Sequence, residues 1–179
     1  MLRLCFFFVF VLILSLPACV TVGFEQPQPR GKKSLDAFPS SLLGMYDDIP
    51  NGQDAELIIR ENSVFINDDE IGNEGDIYLS DSLVLKKFKG YYIANYRDTD
   101  CECWMIQPFT QDEDQLVLFD LSLDSDEAKK ILPNFTRNIR KDGDSFIIDP
   151  NRRALKRMLK DPSLWEKSTL YRIPRSTSD

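Results

Sequence analysis

The 179-residue sequence contains no histidine, and this absence excludes two kinds of chemistry. Histidine is the usual general base near neutral pH and a frequent metal ligand, so His-based catalysis and His-based metal sites are excluded. The sequence also lacks a Gly-x-Ser-x-Gly elbow, a phosphate-binding glycine loop and any internal repeat. Catalysis finds no support beyond the 29 acidic side chains, of which some pair could act as acid and base.

Basic residues are scarce over most of the chain. Residues 36–127 contain 22 acidic and 5 basic side chains, whereas residues 137–175 contain 11 basic and 5 acidic ones. The whole chain has a formal net charge of −7. Proteins that bind nucleic acid present positively charged surfaces to the phosphates. We therefore expect no nucleic-acid partner.

Long apolar runs are few, and the N-terminal one stands out. Residues 4–16 are apolar apart from Ser15 and are preceded by Arg3. A basic residue followed by an apolar run of this length has the form of a signal peptide. Two alternatives remain open from the run alone. Residues 4–22 are just long enough to span a bilayer uncleaved, and an ordinary signal peptide could instead be cleaved after Gly23.

The run ends in Leu16-Pro17-Ala18-Cys19, which resembles the lipobox of bacterial lipoproteins. A lipobox has an aliphatic residue, two mostly small residues and then a cysteine; Leu16, Ala18 and Cys19 match it, and Pro17 departs from it. Cysteine is needed because its thiolate is a strong nucleophile that can accept a diacylglyceryl group. The resemblance implies lipidation of Cys19, cleavage between Ala18 and Cys19, and acylation of the new amino group.

Two or more acyl chains anchor a protein stably, so the resemblance implies a membrane-anchored lipoprotein of the cell envelope. Its expected location is the periplasmic face of the outer membrane, with the membrane and leaflet left open. No acidic run follows Cys19 directly, so no surface-export signal of that kind is seen. The expected partners are the membrane, through the lipid, and either a small ligand or an envelope protein.

The sequence predicts four segments. Residues 1–18 form the signal peptide, and residues 19–37 form the lipidated cysteine with a flexible tether, because Gln26-Pro27-Gln28-Pro29 and its polar neighbours are typical of a linker. Residues 38–175 form a single β-rich domain, and residues 176–179 form a disordered tail.

Within the domain, short β-prone segments alternate with turns about every 8–12 residues, which is typical of an antiparallel meander. The prediction is a mainly β (α+β) fold: a meander or half-open barrel of about 8–10 short strands with two short helices in the C-terminal half. Residues 77–79 and 83–85 are predicted to form a hairpin across residues 80–82. The helices are predicted to begin at Ser125 and at Asp149-Pro150.

The body of the chain also carries two family resemblances. Residues 42–46, 82–95, 116–121 and 149–173 resemble the small uncharacterised β-rich lipoproteins of Bacteroidota, which implies no known activity. Gly44-Met45-Tyr46 on an early strand and Arg172 on the last strand resemble the lipocalin arrangement, in which Gly-x-Trp packs near a late arginine; Tyr46 stands in place of the tryptophan.

Cys101 and Cys103 are the first candidate site, since residues i and i+2 of a strand point the same way. The pair could bind a soft metal such as Cu(I), or form a disulfide, or remain two unreactive thiols. No histidine partner accompanies them, so we expect no metal and no cofactor there.

The acidic segment of residues 67–76 is the second candidate, because oxygen-rich loops bind calcium. Read against the twelve-residue calcium loop, Asn67, Asp69 and Gly72 fit positions one, three and six. Ile71 and Tyr78 fall at positions that require oxygen ligands. A solvated loop is therefore preferred to a calcium site.

Two further features have a structural and a functional interpretation. The basic amphipathic helix of residues 152–160 could lie on a membrane, but packing of its apolar face on the sheet is preferred. Strand aromatics could line a ligand cup, but are more often core residues: Tyr91, Tyr92, Tyr96, Trp104, Phe109 and Phe119. The sequence thus favours a lipid-anchored, non-catalytic domain that binds a ligand or partner. The alternatives are a carboxylate-based envelope hydrolase and a calcium-binding envelope module.

Overall fold

The computed structural model describes residues 20–50, 52, 55–67 and 75–174. These residues form twelve strands and two α-helices. The strands are β1 (Val22–Phe24), β2 (Gly44–Asp47), β3 (Leu57–Ile59), β4 (Ser63–Ile66), β5 (Asp76–Tyr78), β6 (Leu83–Phe88), β7 (Tyr91–Asp98), β8 (Cys103–Asp112), β9 (Gln115–Leu121), β10 (Ile139–Asp142), β11 (Ser145–Ile148) and β12 (Trp165–Arg172). The helices are α1 (Ser125–Ile131) and α2 (Arg152–Met158).

All twelve strands belong to one sheet. Its main path runs β10-β11-β1-β8-β9-β12-β2-β3-β4-β5, while β7 pairs with β8 and β6 pairs with β7. Every pairing is antiparallel except that of β1 with β11. The predicted mainly β fold, with an open sheet and two short helices in the C-terminal half, is confirmed. The sheet has twelve strands rather than about eight to ten, because several strands have only three residues.

Side-chain alternation along the strands places a separate core on each face of the sheet. We call the core that contains Tyr92 the first core and the core that contains the adjacent Ile93 the second core; both residues are on β7. On β12, Leu170 belongs to the first core and Trp165 to the second. The first core lies among β2, β3, β7, β8, β9 and β12, whereas the second is covered by the two helices, β1 and β11.

Both helices are amphipathic and capped by side chains. Asp124 caps α1 by accepting hydrogen bonds from the backbone of Asp126 and Glu127. Asn151 caps α2, so this helix begins two residues later than the predicted start at Asp149-Pro150. The apolar face of α2 is buried, with Leu155 and Met158 in the second core, which agrees with the preferred interpretation of this helix.

The predicted flexible tether is wrong for the described residues 20–37. Val22 and Phe24 are buried, and β1 pairs in parallel with β11 in the register Val22–Phe146. Gln28, in the proline-containing segment, is completely buried. The segment was interpreted as a linker because of its proline and polar residues, but its apolar side chains fill the second core. The folded domain therefore starts by residue 20.

The predicted hairpin across residues 80–82 is also wrong. β5 pairs with β4, and β6 pairs with β7, so residues 79–82 connect two different edges of the sheet. Residues 35–38 connect β6 to the turn between β3 and β4: the Leu35 N–H donates to the Leu85 carbonyl at 2.8 Å, and the Phe38 N–H donates to the Glu61 carbonyl at 2.8 Å. A non-strand segment thus joins the branch of the sheet that ends in β6 to the part that contains β3 and β4.

Candidate functional site

Cys101 and Cys103 form a disulfide in the turn that precedes β8. Cys103 is completely buried and Cys101 is 8% exposed. The bridge packs against Ile147, and a Cβ atom on Gly23 would lie 2.2 Å from the Cys103 Sγ atom. Because each sulfur is bonded to the other and buried, the pair does not present thiolates to a metal.

Two predicted sites lie outside the described residues. They are Ala18 and Cys19 at the proposed processing site, and residues 68–74 of the acidic segment. Lipidation and calcium binding therefore remain predictions. Within the described ranges, no group of three or more acidic or cysteine side chains is placed to hold one metal ion. No helix in that part of the chain is long and apolar enough to cross a bilayer.

Most of the aromatic candidates lie within or against the two cores. Tyr92 and Phe109 stack in the first core with ring centroids 5.4 Å apart. Tyr91 meets Phe119 edge to face at 5.4 Å in the second core. Tyr96, at 44% exposed, stays outside both cores. The interior between the strands is therefore filled by side chains.

Tyr46 and Arg172 are in contact. The guanidinium carbon of Arg172 lies 5.0 Å from the centre of the Tyr46 ring, and Arg172 Nη2 donates to the Tyr46 hydroxyl at 2.7 Å. The Tyr46 hydroxyl itself donates to the Leu42 carbonyl at 2.8 Å. Burial raises the pKa of Tyr46, although the positive charge of Arg172 opposes this shift. The pair joins β12 to β2 at one end of the sheet.

Sequence reasoning missed a buried polar network around Gln28. Asn95, on β7, is completely buried; its Oδ1 atom accepts from the Gln28 N–H, and its Nδ2 atom donates to the Gln28 carbonyl at 3.0 Å. The same Nδ2 atom approaches the carbonyls of Val84 and Ile93 at 3.1 and 3.0 Å. One side chain therefore satisfies both backbone groups of a buried residue, as a neighbouring strand would do.

Lys86 reinforces this network from β6. Its side chain is buried, and Nζ donates to the carbonyls of Pro27 at 2.9 Å and Pro29 at 3.4 Å. Burial lowers the pKa of Lys86, and the nearby charge of Arg152 lowers it further. No carboxylate of the described residues forms an ion pair with Lys86. The loop of residues 26–31 thus lies over the buried Lys86, which has no ion-pair partner in the described residues.

An open cleft of about 660 Å³ lies beside this loop. We call it the arginine cleft, and it is lined by Arg30, Gly31, Asn151, Arg152 and Arg153. Arg152 is fixed by two hydrogen bonds to backbone carbonyls, from Nε to Arg30 at 2.9 Å and from Nη2 to Gly31 at 2.6 Å. Arg30 Nη1 pairs with Asp149 Oδ2 at 2.8 Å. The cleft is therefore rich in fixed positive charge.

A smaller cleft of about 390 Å³ lies over the second core. It is lined by Tyr91, Phe119, Leu159, Lys160, Asp161, Pro162, Trp165 and Lys167. Lys167 Nζ lies 5.5 Å from the centre of the Phe119 ring, and the Trp165 indole N–H donates to the Met158 carbonyl at 2.7 Å. This aromatic cleft contains one carboxylate, and the arginine cleft contains none. Neither provides the two carboxylates that a glycoside-hydrolase mechanism needs.

Five of the six large apolar side chains that remain exposed in the described residues belong to β2, β4, β5 and the loop after β2. We call this region the apolar edge, and it comprises Met45, Ile49, Ile66, Ile77 and Tyr78. Ile49 and Tyr78 are more than 60% exposed. In the described part of the chain, no strand pairs with the outer side of β5. The region therefore combines exposed apolar side chains with a strand edge that none of the described strands covers.

No family model, curated protein or solved structure matches this chain. Function must therefore be argued from the geometry of these regions. The disulfide, the buried network and the contact between Tyr46 and Arg172 stabilise the fold. The apolar edge and the two clefts are exposed to solvent, and their chemistry is suited to binding.

Proposed function

We propose that this protein is a lipid-anchored cell-envelope protein whose body is a non-catalytic binding domain for a protein partner. The observation that carries the partner proposal is the apolar edge. Ile66, Ile77 and Tyr78 lie on the two outermost strands, β4 and β5, and exposed apolar side chains that cluster in this way often mark protein interfaces. The filled interior favours a partner at the surface over a small ligand in a barrel lumen.

The partner that best fits the apolar edge is an extended segment that adds to β5. A strand edge offers unpaired N–H and C=O groups, and added strands gain affinity from the main chain and specificity from alternate side chains. Apolar side chains are present on both faces of β5, because the adjacent residues Ile77 and Tyr78 point to opposite faces. Ile77 is paired with Val64 and Tyr78 with Ser63. The excess of acidic residues over residues 36–127 favours basic residues flanking the partner segment.

The anchor proposal rests on the lipobox resemblance at Cys19, and intact mass tests it. The protein is extracted from the membranes of its native host beside a Cys19→Ala variant. A chain that starts at residue 19 and carries acyl groups, absent in the variant, supports the proposal. A chain that retains residue 1, or one that starts elsewhere without lipid, contradicts it.

The partner proposal is tested by photo-crosslinking in the native host. A photoreactive phenylalanine analogue replaces Tyr78 in one strain and Tyr96 in the control strain, since Tyr96 is also exposed but lies on β7. We expect one discrete adduct from position 78 that disappears when Ile77→Lys is added. No adduct at position 78, or the same adducts from position 96, would refute a partner at the apolar edge.

A further inference from the structure

We propose that the arginine cleft binds a phosphate-type oxyanion. The proposal shares no residue with the apolar edge and is independent of the anchor and partner proposals. It rests on three observations: the unbalanced charge of the cleft, the hydrogen-bond donors that line it, and the fixed position of Arg152.

The charge around the cleft is unbalanced. Arg30, Arg152 and Arg153 line it, and the carboxylate that offsets them is Asp149, which pairs with Arg30. Within the described ranges, neither Arg152 nor Arg153 has an acidic partner within ion-pair distance. Such a positive cluster in a chain of net charge −7 is suited to an anionic ligand.

The free polar side-chain groups that line the cleft are donors. Arg152 uses Nε and Nη2 to hold the loop, which leaves Nη1 unbonded in the described structure. Arg30 donates from Nη1 to the Asp149 carboxylate, which leaves its Nη2 atom as a further donor. Asn151 uses its Oδ1 atom to accept from the backbone N–H groups of Arg153 and Ala154, each at 3.0 Å, so its amide nitrogen remains. Guanidinium and amide donors without a competing acceptor suit the oxygens of a phosphate group.

The position of Arg152 is set before any ligand arrives. Its two hydrogen bonds to the backbone carbonyls of Arg30 and Gly31 join α2 to the loop of residues 26–31. That loop is in turn held by Asn95 and Lys86. A donor that is already ordered loses less conformational entropy on binding. The buried network thus has a role in keeping the cleft formed.

Inorganic phosphate is the first probe, titrated by calorimetry into the full chain in neutral detergent micelles. We expect saturable binding that weakens about tenfold in Arg153→Gln, because one charge-assisted hydrogen bond is lost. This variant should fold normally, since the Arg153 side chain makes no hydrogen bond or ion pair within the described structure. The matched control is Arg97→Gln, which removes an exposed arginine on β7 outside the cleft.

The source of the phosphate group is tested with micelles that contain phosphatidic acid, compared with micelles that contain only phosphatidylcholine. Tighter binding to phosphatidic acid than to inorganic phosphate, with the same dependence on Arg153, assigns the oxyanion to a lipid headgroup. Equal binding of both assigns it to the phosphate group alone. No saturable binding of either probe, or equal weakening by Arg153→Gln and Arg97→Gln, would overturn the proposal.

Discussion

Asn95→Ala should be among the most destabilising single substitutions in this domain. Asn95 is completely buried and binds both the N–H and the carbonyl of the buried Gln28. Alanine leaves both groups without a partner, and each buried unsatisfied group costs about 1–3 kcal/mol. We therefore expect the free energy of unfolding to fall by about 2–6 kcal/mol, which is a large part of the total stability of a typical domain.

Urea unfolding followed by tryptophan fluorescence measures this loss, and two variants serve as controls. Asn138→Ala removes an exposed asparagine and should change the free energy of unfolding by less than about 0.5 kcal/mol. Gln28→Ala removes a side chain that donates to the Gln26 carbonyl but keeps both backbone groups bound to Asn95. A cost below about 1 kcal/mol for Asn95→Ala, or an equal cost for Gln28→Ala, would refute the reasoning.

Two further predictions concern packing and ionisation. Gly23→Ala should destabilise the domain by about 1–3 kcal/mol in urea unfolding, because the new Cβ atom would lie 2.2 Å from the Cys103 Sγ atom; Gly75→Ala, with no atom within 4 Å of the new group, is the control that should be nearly neutral. Burial raises the pKa of Tyr46, so the folded chain keeps a proton that the unfolded chain releases near pH 10. The stabilising contribution of Tyr46 should therefore be present below about pH 10 and be lost above it. The free energy of unfolding, measured from pH 8 to 11, should fall less steeply with pH in Tyr46→Phe. An unchanged profile would contradict the assignment.

The fold class could be predicted because short apolar runs bounded by turn residues are a local signal. Residues 116–121 form such a run, and the pairing of β9 with β8 follows from the nearby turn between them. β1 could not be predicted in this way, because three residues are too few to show a period. Its partner, β11, lies more than 120 residues away, and no local pattern encodes such a pairing.

The candidate sites show the same limit. Cys101 and Cys103 were recognised because their spacing is visible in the sequence, and the structure joins them. Lys86 belongs to a lysine-containing stretch that is typical of a solvated turn, yet residues 26–31 cross over it and bury it. The arginine cleft is equally non-local, since Arg30 and Arg152 meet from opposite ends of the chain.

The pairing of β1 with β11 has a consequence for the order in which the molecule can assemble. Residues 22–24 leave the ribosome early, but their parallel partners are residues 146–148. Synthesis proceeds from the N-terminus, so the first strand must wait, without its ladder, until most of the chain has been made. Contacts this distant in sequence also slow folding, because a long loop must close before they form. The polypeptide therefore cannot complete this sheet until residues 146–148 have been made.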